Sequence, residues 1–223
     1  CNTHLDRLPG AEASEERKLQ MEGEAKFLRA LYYYLLVTYY NGVPLVLSIP
    51  EMSHCTLPRS SREEVVSQII GDLDRAAECL DWKWGSKSDK GRATKGAAMS
   101  LKARLLLFEA SPLVNEKGDL ALWKKAADAA AEVMDHAKEA GYDLFPDYRK
   151  LFLPANEHSC ECIFDVEYSK TKNTPINAWN VQSVQYRNNA PLLDLVNAYE
   201  SSDGKTYAQD NYDKKDPRFK ATV

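Results

Sequence analysis

Residues 94–140 decide the fold. The first half reads Thr94-Lys95-Gly96-Ala97-Ala98-Met99-Ser100-Leu101-Lys102-Ala103-Arg104-Leu105-Leu106-Leu107-Phe108-Glu109-Ala110. After residues 111–118 the second half begins Asp119-Leu120-Ala121-Leu122-Trp123-Lys124-Lys125-Ala126-Ala127. Ala98, Leu101, Leu105 and Phe108 recur at intervals of three and four, the spacing of one helical face. Leu120, Trp123, Ala127, Ala130, Met134 and Ala137 repeat the pattern, so they too are expected to point inward. Ser111-Pro112 stops the first helix and Gly141 the second. Two helices joined by the loop 111–118 read as an antiparallel αα-hairpin. The Ala-rich seam of the second lets a neighbouring helix approach closely. Small residues at the crossing and aromatics at the ends suggest a tetratricopeptide-like unit, although a strict repeat period is absent.

Working towards the N-terminus, residues 61–80 predict another helix. Ser61 stands three residues before Glu64, the spacing of a capping box. Val66, Ile69, Ile70, Leu73, Ala77 and Leu80 are expected to line its inner face, opposite Glu63, Asp74 and Arg75. Residues 16–40 predict a longer helix, with Leu28, Leu31, Leu35 and Tyr39 inward and Phe27 and Tyr34 widening the stripe. Asn41-Gly42 ends it and Pro44 prevents its resumption. Its most apolar part, residues 31–40, is half of what a bilayer needs, and Glu22, Glu24, Lys26 and Arg29 precede it. This is a buried helix, not a span.

Strand signal is weak. Cys160, Cys162, Phe164 and Val166 alternate with polar neighbours, predicting one short strand near 160–167, and residues 43–47 offer a second extended piece. Residues 168–190 form a long polar loop, a short helix covers 191–199, and residues 201–217 are loop. The expectation is an all-α fold, a tetratricopeptide-like superhelix of helix pairs with minor short strands and long ligand-binding loops.

Composition narrows the function classes. With 223 residues, 44% hydrophobic and 28% charged, the chain has the makeup of a globular protein and not of a disordered one. Its net charge of −4 and lack of a basic block argue against nucleic acid and against polybasic membrane binding. Five cysteines, an odd and sparse number, make no disulfide framework. Twelve Tyr and four Trp against six Phe tilt the chain towards residues that pair an apolar face with a hydrogen-bonding tip.

Several constellations bear on chemistry. His158, Cys160 and Cys162 make His-x-Cys-x-Cys, but a structural zinc site needs a second ligand pair that the chain lacks; two small core residues beside a loop histidine is the favoured reading. Asp210, Asp213 and Asp216 lack the EF-hand glycine and terminal glutamate and read as solvated turn carboxylates. Gly-x-Ser-x-Gly, P-loop and dinucleotide fingerprints are all missing, so neither metal nor cofactor is expected. Aromatics are more telling. Trp82 and Trp84 follow the second helix, and Trp179 lies among Asn177, Asn180, Gln185, Tyr186 and Arg187. An aromatic face flanked by amide and guanidinium groups suits a sugar, whose C–H face stacks while its hydroxyls find donors and acceptors. Equally, Trp82 and Trp84 can fold back as caps over helix ends.

Beyond these local readings, the chain resembles the SusD/RagB family. The resemblance lies in Glu24-Ala25-Lys26-Phe27-Leu28-Arg29-Ala30-Leu31-Tyr32-Tyr33 with Asn41-Gly42-Val43-Pro44-Leu45-Val46, and in Gly91-Arg92-Ala93-Thr94-Lys95-Gly96-Ala97-Ala98. Ser111-Pro112-Leu113, Trp123 with Ala126 and Ala127, Gly141-Tyr142-Asp143-Leu144-Phe145, Glu161-Cys162-Ile163-Phe164 and Asp216-Pro217-Arg218 follow in the family's order. The resemblance implies a surface lipoprotein of the Bacteroidetes outer membrane, a binding protein and not an enzyme. Such a protein captures glycan, sometimes peptide, and presents it to a SusC-like TonB-dependent transporter. It also implies that residues 1–223 are an internal portion of one such domain, with Cys1 interior and not a lipidated terminus. Family location favours the loop after residue 164 for the ligand, so the expected glycan-binding residues are Tyr168, Asn177, Trp179, Asn180, Gln185, Tyr186 and Arg187, with Trp82 and Trp84 in reserve. Two rivals remain: a helical-repeat module binding peptide or protein, and a glycosidase, for which Asp165 and Glu167 are the nearest carboxylates to that loop.

Overall fold

The computed structural model describes residues 1–49, 51–86, 89–166, 192–205 and 212–222. They fall into two units, Cys1–Asp143 and Leu144–Val223. The first is built of helices α1 (Asn2–Arg7), α2 (Glu15–Tyr40), α3 (Arg62–Cys79), α4 (Lys95–Ala110), α5 (Leu120–Asp135) and α6 (Ala137–Ala140). Side-chain caps fix their starts. Ser14 accepts from the Arg17 N–H, Thr94 from Ala97 and Asp119 from Ala121, each satisfying a donor the first turn leaves orphaned. At α3 both halves of the capping box form: Ser61 accepts from Glu64 at 3.2 Å and the Glu64 carboxylate accepts from the Ser61 N–H at 2.8 Å.

The end of α2 is set by Asn41 in a positive-φ turn (φ 63°) and by Gly42, where a Cβ would lie 2.2 Å from the Ser60 carbonyl oxygen. No side chain fits at that close approach. The last turn of α2 has no basic residue of its own. Arginines from the next segment supply the donors: Arg59 to the Tyr40 carbonyl and, at 2.7 Å, to Gly42, and Arg62 to Val37 at 3.3 Å. Cations at a helix C-terminus also suit its dipole.

The helices pack in chain order, α2 on α3, α3 on α4 and α4 on α5. Asn115 pins the α4–α5 turn from a buried position. Its amide donates to the Ala110 and Asp119 carbonyls, and its oxygen accepts from the Asp119 N–H at 2.8 Å. At His136 the last helix is interrupted before α6, where the expectation was one helix over 119–140.

Helix α4 buries Ala98, Leu101 and Leu105 as expected, and α3 with its C-cap buries Ile69, Leu73 and Leu80, but the faces of α2 and α5 differ from those expected. On α2 the buried residues are Phe27, Ala30, Tyr33 and Val37, while Leu28, Leu35 and Tyr39 are exposed. On α5 Ala126 is buried and Leu122, Ala129 and Val133 half-buried, while Leu120, Trp123, Ala127, Ala130 and Met134 face outward. On α3 the buried stripe is Val65, Ile69, Leu73 and Ala76, with Val66, Ile70 and Ala77 at its edge. The reason is shared: each helix carries apolar residues on more than one face, so the 3–4 spacing fits two stripes and polar partners choose between them.

The decisive polar partner is Asp72, its side chain 2% exposed inside the α3 stripe. Arg29 of α2 meets it with two hydrogen bonds of 2.7 Å, and Lys26 adds a third at 3.2 Å. Arg29 also donates to Asn2 of α1 at 3.1 Å, and the Asn2 amide donates to the Val46 and Ser48 carbonyls. Further pairs hold α2 from the side: Arg75 binds Glu22 through two bonds of 2.8 and 3.0 Å, and Arg92 binds Glu24 at 2.7 and 2.5 Å.

The second unit is described by itself. Helix α7 (Tyr148–Leu151) is capped by Asp147, and α8 (Leu193–Ala198) lies within the helix expected over 191–199. Before α9 (Phe219–Thr222), Asp216 takes three bonds from Arg218, two from its guanidinium and one from its backbone N–H, which hold its carboxyl down to about 2. Phe219 is buried against the rings of Tyr199 and Tyr212. The strand expected over 160–167 is not formed across residues 160–166, which make turns and bends, with the Cys162 N–H donating to Ser159. An alternating segment becomes a strand only when a ladder partner accepts it. Among the described residues the sole β pairing is an isolated bridge between Ser201 and Lys215.

Replacing Asp72 by Ala leaves the Arg29 guanidinium buried without its counter-charge and is expected to cost about 3–5 kcal/mol, read from the urea midpoint. The double variant Arg29→Met/Asp72→Leu should recover most of that loss. Glu22 supplies a pH test. Its bond to Arg75 holds the carboxyl below its ordinary value of 4.5. The stabilisation is thus complete above that value and fades as the pH falls through the lower folded one. In a Glu22→Gln protein the acid limb of the stability curve should flatten; an unchanged limb would show that the pair does not couple to folding.

Candidate functional site

The seven expected ligand residues, Tyr168, Asn177, Trp179, Asn180, Gln185, Tyr186 and Arg187, lie outside the described residues, as does Glu167. The two reserve tryptophans are well defined in the connection between α3 and α4. Trp82 stacks on His136 with centroids 4.8 Å apart and an interplanar angle of 16°, and the Lys95 ammonium lies 5.4 Å from its ring. The Trp84 indole N–H donates to the Ala93 carbonyl at 2.9 Å while the Arg92 guanidinium sits 4.5 Å from its ring centroid. Each ring therefore has an intramolecular partner. Because Arg92 is also the partner of Glu24, Trp84 is tied to α2 through it.

Neither metal reading gains support. Cys162 is a half-buried thiol pushed up to about 11 by burial and by its hydrogen bond to Asp165, an environment that disfavours the reactive thiolate. His158 stands 3.9 Å from Asp165. Asp213 and Asp216 each engage a cation, Lys220 at 2.6 Å and Arg218. Among the described residues no three ligating side chains converge.

A feature that the spacing missed lies at the C-terminal end of α2. Tyr39 and Tyr40, 78% and 63% exposed, stand over an open groove of about 1050 Å³ between that end, the start of α3 and the turn after α4. Leu113, Glu63 and Glu116 complete its walls. The signal is the pair of adjacent tyrosines before Asn41-Gly42, which the 3–4 spacing hides by putting Tyr39 on the inner stripe.

Helix pairs joined by ion pairs, with aromatic and polar side chains at the loop ends, define an all-helical, tetratricopeptide-like scaffold protein. The comparisons sharpen that. A family described as "Starch-binding associating with outer membrane" matches residues 1–107. A SusD-like protein of Formosa agariphila is 27% identical over 174 residues, covering 76% of this chain and 30% of that protein. A SusD-like protein structure from Bacteroides fragilis superposes with a TM-score of 0.80 at 29% identity, covering 99% of this chain and 46% of its own. A laminarin-binding SusD-like protein gives a TM-score of 0.64 at 27% identity, over 75% of this chain and 35% of its own. Over residues 1–107 the chain is thus similar to this SusD-like family, and it spans less than half the length of each of these relatives.

The role of Trp84 in holding the frame is testable. Trp84→Phe keeps the ring over Arg92 and removes the bond to Ala93, and should cost about 1 kcal/mol of stability in chemical denaturation.

Proposed function

We propose that this protein is a cell-surface glycan-binding protein, not an enzyme, that captures oligosaccharide at the extracellular face of the outer membrane and presents it to a partner TonB-dependent transporter. The observation that carries the reading is the family match over residues 1–107, joined by likeness to a laminarin-binding relative. In keeping with a surface role, no described helix is long and apolar enough to cross a membrane. Capture is assigned to the loop 168–187. Trp179 and Tyr186 stack on pyranose faces, and Tyr168, Asn177, Asn180, Gln185 and Arg187 bind hydroxyls. Trp82 and Trp84, with partners on their rings, serve as framework in this reading. A preformed platform of stacking rings and few hydrogen bonds binds weakly, at about micromolar to millimolar Kd, and the transporter partner completes the trapping.

The test is calorimetric titration of the protein and of Trp179→Ala with maltohexaose, laminarihexaose and, as an anionic comparator, hexagalacturonate. One hexasaccharide should bind, and the variant should lose about 1–3 kcal/mol. Equal binding by both proteins moves the site elsewhere. Binding of none removes the glycan assignment and makes peptide the cargo to examine.

A further inference from the structure

The groove at the end of α2 brings exposed aromatic, aliphatic and carboxylate side chains together. Tyr39 and Tyr40 are consecutive helical residues, so their side chains leave the axis roughly 100° apart and present two ring faces instead of one. Both are largely exposed, as is Leu113 at 77%.

The surroundings are firm. Gly42 is pressed against the Ser60 carbonyl, and the Ser60 N–H donates to Val43 at 3.1 Å. Arg59 binds the carbonyls of Tyr40 and Gly42. Arg62 binds Glu109 and lies 5.1 Å from the Phe108 ring centroid. Three helix ends and two turns are thus locked together beneath the tyrosines, a preorganised base that lowers the ordering cost of binding.

Charge selects the ligand. The two arginines are engaged with backbone carbonyls and with Glu109. Against them stand three carboxylates, Glu63, Glu109 and Glu116. Glu63 is ionised, its own backbone N–H and the Ser61 hydroxyl holding it below the usual range. Glu63 and Glu116 are exposed acceptors on the groove wall. Stacking rings beside carboxylates bind hydroxyl-rich, uncharged molecules, because hydroxyls donate to carboxylates and C–H faces pack on rings. With Glu109 paired to Arg62, the groove holds Arg59 against Glu63 and Glu116, one carboxylate in excess, so a uronate or sulfated sugar gains no net attraction there.

We propose that the groove formed by Tyr39, Tyr40, Leu113, Glu63 and Glu116 is a contact site for neutral oligosaccharide, lying wholly within the first unit. The ligand class rests on the glycan reading above; the position and the preference for neutral sugar do not come from the loop 168–187.

Tyrosine nitration locates the contact directly. The protein is treated with tetranitromethane, and nitration at each tyrosine is read by peptide mass spectrometry. Maltohexaose or laminarihexaose at about 10 mM, above the weak Kd expected, should protect Tyr39 and Tyr40 by about threefold or more. Tyr32, 59% exposed on the same helix but outside the groove, should be nitrated as before, and hexagalacturonate should protect none of the three. Calorimetric binding of a neutral hexasaccharide without protection of Tyr39 and Tyr40 overturns this site and leaves the glycan reading standing. Protection by hexagalacturonate as strong as by the neutral sugars overturns the charge argument. Absence of calorimetric binding by every sugar removes the glycan reading, and this site's ligand with it.

Discussion

Burying a carboxylate is costly unless every one of its acceptor sites is met, and Asp72 is where this protein accepts that constraint. Two donors from Arg29 and one from Lys26 converge on it. Arg29 passes its remaining reach to Asn2, and Asn2 ties the chain at Val46 and Ser48. One polar knot therefore fixes the rotation of α2 against α3, seats α1 and sets the path of the chain leaving α2. Such a knot adds little net stability over a well-packed apolar substitute. What it does add is a single answer to which face of α2 goes inward.

The two segments that carry the family resemblance turn out to be physical partners. Glu24, Lys26 and Arg29 belong to the first and Arg92 to the second, and the bidentate Arg92–Glu24 contact joins them directly. Arg92 in turn lies over Trp84. Gly96 of the second segment packs so closely on Tyr142 that a Cβ there would come within 2.2 Å of the phenol oxygen. The motif residues are thus the ones whose charge or size this packing depends on, which is a framework role and leaves ligand contact to side chains on loops and helix ends.

Local chemistry was the most legible part of the sequence. The Ser61–Glu64 box, the Asn41-Gly42 stop and the αα-hairpin follow from residue types within a few positions of each other. Helix faces were less legible. Leu28, Leu35 and Tyr39 obey the helical period as well as Phe27, Ala30 and Val37 do, and only the distant Asp72 separates the two sets. Likewise Trp123 and Met134 compete with Leu122 and Val133 on α5. The alternation at residues 160–166 failed for the matching reason, since a strand is a property of two segments and one was read alone. Of the aromatic candidates, Trp82 and Trp84 have internal partners, in line with the reading that they fold back on the helix ends, while the exposure of Tyr39 and Tyr40 followed only once the face of α2 was known.

The tie between Val43 and Ser60 has an implication for how this chain can change. A hydrogen bond between those residues, with Gly42 and Arg59 beside it, closes the excursion from 43 to 60 at its neck. Lengthening a loop whose ends are already held raises its closure entropy only logarithmically, about 0.6 kcal/mol for each doubling. Residues between Ser48, which Asn2 holds, and Arg59 can accordingly be inserted, deleted or exchanged at small thermodynamic cost, while the helices on either side keep their register. The surface this excursion presents is free to diversify on a frame that is not.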